Sequence, residues 1–114
     1  MIDYPFALPA RARLQGREAI QRHFAMVARL PFELRAHDVV MHENTDPEVV
    51  IVGYEYDGLV TTTGRSFEVS GIQVSRVHHG QIVESRDYHN HLLLADAIGR
   101  LPELVSALTN RDSA

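Results

Sequence analysis

The segment Val83-Glu84-Ser85-Arg86-Asp87-Tyr88-His89 carries the strongest chemical signal in the chain. Strand alternation puts Val83, Ser85, Asp87 and His89 on one face, with Glu84, Arg86 and Tyr88 on the other. If the face with Val83 turns inward, Asp87 turns with it. A carboxylate among apolar neighbours is costly when ionised, which readies Asp87 for proton exchange near neutrality. The competing reading pairs Asp87 with an arginine or has it cap the helix that follows. His89 is a second candidate proton carrier, because an unperturbed imidazole titrates near neutrality.

The preceding strand offers Gln73 and Ser75 on the face shared with Val69 and Gly71. A buried glutamine there can serve the sheet alone. Tyr54 and Tyr56 alternate with Glu55 and Asp57. Burying two tyrosines and exposing two carboxylates is the cheaper register, so the tyrosines are expected to face inward. They are wall residues with one polar tip, or groups that orient a ligand oxygen. Ser75 and Ser85 join them in the expected substrate-binding set. Among the seven histidines, His89 and His91 stand two apart, as in metal-binding strand pairs. No glutamate follows them, Leu92 to Ala95 turn helical, and His78 and His79 belong to a hairpin. Neither a metal nor any other cofactor is therefore expected.

These residues need a scaffold, and 114 residues suffice for one domain. The chain is 45% hydrophobic and 23% charged, an ordinary globular balance. It has no cysteine, which excludes disulfides and thiolate chemistry. Fifteen acids against eleven basic residues give a net charge of −4. The arginines are scattered among apolar positions rather than striped, so no nucleic-acid partner is expected. No apolar run approaches the ~20 residues of a membrane span, and no leader pattern opens the chain. A cytoplasmic location is expected.

Along the chain, Met1 to Ala7 reads as an edge strand or extended lead-in, and Pro9 to Gln15 as a basic loop. Ile20, Phe24 and Val27 recur at helical spacing between Gly16 and Pro31. Strands are expected over 32–44, 49–60, 66–77 and 81–89, the second being richest in β-branched and aromatic residues. Asn90 can cap a closing helix that Gly99 and Pro102 divide, and the tail from Asn110 should fray. Strands in one run with helices at the ends indicate α+β architecture.

Four pieces in this order resemble the SnoaL-like branch of the NTF2-like superfamily. They are Asp-Tyr-Pro at 3–5, Gly-Arg-Glu-Ala-Ile at 16–20, Val-Ile-Val-Gly-Tyr-Glu-Tyr at 50–56, and Arg-Val-His-His-Gly-Gln-Ile-Val-Glu-Ser-Arg-Asp-Tyr at 76–88. The resemblance implies a curved antiparallel sheet wrapped around helices into a cone, with a pocket inside and a homodimer through the outer face. It implies acid/base work for Asp87, as in the related cyclases and epoxide hydrolases. Gln73 falls where ketosteroid isomerases place an acid that supports the enolate, and a glutamine amide can still donate to that oxyanion. Tyr4 replaces their base and so joins the expected substrate-binding set, and steroid isomerisation is not expected. Tyr54-Glu55-Tyr56-Asp57 lacks the Arg-x-Asp pair of limonene epoxide hydrolases, so epoxide hydrolysis is not expected either. Family members usually carry one or two helices ahead of the segment that here begins at Met1, which predicts an N-terminally shortened cone. The expected ligand is a small apolar carbonyl-bearing molecule, with isomerase-, cyclase- or dehydratase-type proton transfer. The alternative is a non-catalytic ligand-binding or dimerisation module.

Overall fold

The computed structural model describes residues 1–110. In chain order the elements are β1 (Ile2–Tyr4), β2 (Ala12–Leu14), α1 (Arg17–Val27), β3 (Phe32–His42), β4 (Val49–Val60), β5 (Ser66–His78), β6 (Gln81–His89), α2 (His91–Ala97) and α3 (Leu101–Asn110). Local chemistry explains the joints. His79 and Gly80, at φ 50° and 73°, form the tight turn between β5 and β6, where two positive φ values match the strand twist. Asn44 and Asp46 turn the chain between β3 and β4 by accepting hydrogen bonds from the backbone N–H of Asp46 and Glu48. The Asn90 side chain caps α2 by accepting from the Leu93 N–H at 3.1 Å. Gly99, at φ 76°, separates α2 from α3. The fraying expected from Asn110 onward lies outside the described residues, except that Asn110 itself ends α3.

β3 to β6 form the expected antiparallel meander, within a sheet ordered β2-β1-β6-β5-β4-β3. Three features differ from the expectation. β1 runs parallel to β6, Ile2 beside Ser85, so the sheet is mixed. The basic loop contains β2, which pairs with β1 because Arg13 falls opposite Asp3 and Arg11 binds the same carboxylate. A three-residue strand stitched by an ion pair leaves no alternation in the sequence. The sheet is also open, with β2 and β3 as free edges, rather than closed into a cone.

Register decides which residues share a face. Tyr54, Gly71 and His89 make one row across β4, β5 and β6; Val52, Gln73 and Asp87 make the next; Val50, Ser75 and Ser85 follow. Ile2 sits beside Ser85, so Tyr4 arrives beside Asp87 on this same face. The helices cover it, α1 reaching Tyr4 through His23 and α2 through His91. The opposite, outer face carries Asp3, Glu55, Ile72, Arg86 and Tyr88. The buried apolar residues are Tyr4, Tyr54, Val60, Val69, Ala97 and Leu104. In α1 the apolar stripe does not seat as its spacing suggests: Phe24 is 52% exposed, and it is His23 that reaches the sheet.

Candidate active site on the helix-covered face

Asp87 stands on β6 at the centre of the covered face, and Ser85 Oγ donates to its Oδ1 at 2.7 Å. Val83 does not set this orientation. It is the extra residue of a bulge, where Arg76 pairs with Glu84 but Val77 pairs with Ile82, and it is 46% exposed. The parity that holds Asp87 comes from Ser85, which is buried beside Ser75.

Gln73 lies directly across the ladder from Asp87. Its amide N–H groups donate to Ser75 Oγ and Ser85 Oγ, each at 3.1 Å. An amide nitrogen has two donors, and both are engaged. Gln73 therefore has no donor left for an oxyanion in this arrangement. It organises the serines that hold Asp87.

Around Asp87 stand hydroxyl and imidazole groups. Burial first, and the Asp87 charge second, push the Tyr4 phenol up to about 12, and burial, then Tyr56 and then Asp87, push the Tyr54 phenol higher still. Both therefore remain protonated donors. The Tyr54 hydroxyl and His89 Nε2 share a hydrogen bond at 2.6 Å. Burial lowers the proton affinity of His89 more than Asp87 restores it, so the ring is neutral near pH 7. Tyr4, 8% exposed, places its hydroxyl 3.2 Å from His23 Nε2. Its ring lies 6.0 Å from the rings of both His89 and His91. His91 is depressed by burial and then by His89. Tyr56 packs on Tyr54 with ring centroids 4.9 Å apart and completes the wall.

The sequence-predicted residues Tyr4, Tyr54, Tyr56, Gln73, Ser75, Ser85, Asp87 and His89 thus occupy one face. His23 was not anticipated. The available signal was its place between Ile20 and Val27 on the helical stripe, a polar residue where an apolar one would be expected. Among the described residues, no group of three or more His, Asp or Glu side chains converges to hold a metal ion. A cavity of about 850 Å³ opens on the other side of the sheet, lined by Phe6, Leu8, Val40, Ile72, Tyr88 and Leu92 and bordered by His89 and His91 at its α2 end.

Residues 2–85 match the SnoaL-like domain. The chain belongs to the SnoaL-like family. As a SnoaL-like protein it lies in the NTF2-like superfamily. It is 32% identical over 100 residues to an uncharacterized PhzA/B-like protein of Pseudomonas aeruginosa, covering 87% of this chain and 70% of that one. A proposed isomerase from Bacillus subtilis superposes with a TM-score of 0.74 at 28% identity, covering 87% of this SnoaL-like chain and 72% of that chain. A proposed polyketide cyclase from Xanthomonas campestris shares the fold, with a TM-score of 0.67 at 19% identity over 85% of this chain and 76% of its own. No helix among the described residues is long and apolar enough to cross a membrane.

Proposed function

We propose that this SnoaL-like protein binds a small, largely apolar carbonyl compound against the helix-covered face and moves a proton beside the carbonyl with Asp87. The observation that carries this reading is that Asp87 shares one surface with two protonated tyrosines and a neutral histidine. Asp87 would accept the α-proton as general base while Ser85 holds the carboxylate in place. Tyr4 would donate to the oxygen that gains charge, with His23 behind it. His89 would return or relay the proton. Isomerisation, cyclisation and dehydration of a carbonyl compound all begin with that abstraction. The names of a related proposed isomerase and proposed cyclase agree with this class.

A direct test needs no knowledge of the natural substrate. Simple cyclic ketones incubated with the protein in D2O should gain deuterium at the α-carbon faster than in buffer, followed by proton NMR. Asp87→Asn should remove the acceleration, worth about 10²–10⁴-fold for a positioned base. Equal exchange with wild type and Asp87→Asn would leave binding without catalysis.

A second reading, a non-catalytic ligand-binding or dimerisation module, draws support from the outer face. The cavity there is lined by exposed Phe6, Val40, Ile72 and Leu92. Such a patch is the kind of surface that a second copy covers about a twofold axis. Glu55, Asp57, Glu68, Arg76, Glu84 and Arg86 would supply the polar rim.

A further inference from the structure

Charge on this protein is mostly paired. Arg11 and Arg13 meet Asp3, Arg65 meets Asp96, Arg76 meets Asp46, and Arg86 approaches Glu84. Arg17, Arg29, Arg35 and Arg100 have no side-chain partner among the described residues, and of these Arg29 and Arg100 come together. They meet at a groove of about 400 Å³ whose third cation is Arg22. Among the described residues the acid that Arg22 approaches is Glu18, at 4.0 Å, with both side chains mostly in water, so that pair is screened and weak. The groove has an apolar floor of Ala25, Met26 and Leu30, and no acid lines it.

Two elements build this arrangement. On α1, residues 22, 25 and 26 recur at intervals of three and four and so share a stripe, turned away from the His23 stripe that faces Tyr4, and Arg29 follows in the turn after the helix, where its N–H donates to the Met26 carbonyl at 3.0 Å. Arg100 comes from the α2–α3 connection. There Gly99 takes the left-handed φ, the Arg100 N–H donates to the Ala95 carbonyl at 2.8 Å, and the Arg100 carbonyl accepts from Leu104 N–H at 3.1 Å. The backbone of Arg100 is thus fixed by hydrogen bonds on both sides. Guanidinium groups are planar forks that suit carboxylate and phosphate oxygens, and Met26, 55% exposed, offers an adaptable apolar contact beside them.

We propose that this groove binds an amphiphilic oxyanion, a carboxylate or phosphate carried on an apolar body, with Arg22, Arg29 and Arg100 on the head and Ala25, Met26 and Leu30 on the body. The protein as a whole is anionic, at −4, so attraction for such a ligand must be local to this cluster. The site is separate from the Asp87 surface and does not depend on catalysis there.

Amide NMR titration of the full chain with sodium octanoate, octyl phosphate and octanol tests it. Both anions should shift the amides of Arg22, Ala25, Met26, Arg29, Leu30 and Arg100, and octanol should bind at least about tenfold more weakly. The tighter of the two anions identifies the preferred head group. R29Q/R100Q should weaken anion binding at least about tenfold, whereas R35Q on the edge strand β3 should leave it unchanged. The single variants R29Q and R100Q serve if the double variant unfolds. D87N should bind both anions as the wild type does, which separates this site from the proton-transfer surface. Octanol binding as tightly as octanoate, shifts confined to other residues, or full affinity in the arginine variants would each overturn the proposal.

Discussion

At Asp87, function and stability can be separated by substitution. Its hydrogen bond comes from Ser85 and no arginine among the described residues is paired with it, so Asp87→Asn keeps the shape and leaves the Ser85 hydroxyl a partner. The thermal midpoint is therefore expected to move little while α-proton exchange disappears. A large fall in the midpoint would make Asp87 a structural residue. Histidine protonation supplies a second residue-scale prediction. Burial depresses His89 and His91, so the folded chain resists their protonation. The stability linked to them is complete above the ordinary histidine value of ~6.5 and is lost as pH falls through the lower folded values. His37, raised by Asp38 and then Asp57, works in the opposite sense and loses its contribution as pH rises. The useful readout is thus the difference between wild type and His89→Gln in midpoint against pH, which should shrink from about pH 7 to about pH 5. A constant difference would take His89 out of the buried set. Much at this scale was legible: alternation put Asp87 with His89 on one face of their strand and Gln73 with Ser75 on one face of theirs, and the cost of burying carboxylates turned Tyr54 and Tyr56 inward. What alternation could not reveal was that Gln73 spends both its amide protons on serines, because that depends on distances across the ladder.

At the scale of elements, two positions hold the site in shape. A Cβ at Gly71 would stand 2.5 Å from the Tyr54 ring, which crosses over it. Gly71→Ala should push that ring aside, break its bond to His89 and destabilise by about 1–3 kcal/mol. Denaturant unfolding and the Tyr54 ring resonances would show both effects, and an unperturbed ring would refute the close approach. Asp3 is the second position. It is 1% exposed on the outer face, and the Arg11 guanidinium holds its carboxyl below the usual carboxylate range. Asp3→Asn should loosen β1 and β2 first, read as faster amide exchange at residues 2–4 than in β4 or β5. Uniform loosening would show that the ion pair does not act locally. The long strands could be read from β-branched runs and turns; β2 could not, because its partner strand and its stitching acid lie elsewhere in the chain.

At the scale of the whole molecule, apolar surface remains uncovered. Phe6, Phe24, Met26, Val40, Ile72 and Leu92 are all exposed, and Phe6, Val40, Ile72 and Leu92 gather at the 850 Å³ cavity of the outer face. Ile72 is central there, in the row with Gly53 and Tyr88. If a second copy covers this face, light scattering at micromolar concentration should report a dimer, and Ile72→Asp should give a folded monomer. A monomeric wild type removes the proposal. The mixed polar surface read from the sequence is present, but the apolar groove within it was not legible. Phe6 and Leu8 come from the segment between β1 and β2, and only the tertiary fold lays them against Tyr88.

The parallel seam between β1 and β6 also sets an order of events during synthesis. Tyr4 is made before Ser85 and Arg86, yet its place beside Asp87 exists only once those two residues have emerged to pair with β1. A nascent chain stalled before β6 would hold β3 to β5 with Tyr4 and Asp87 not yet side by side, so the candidate surface assembles in one step when β6 joins rather than by gradual accrual.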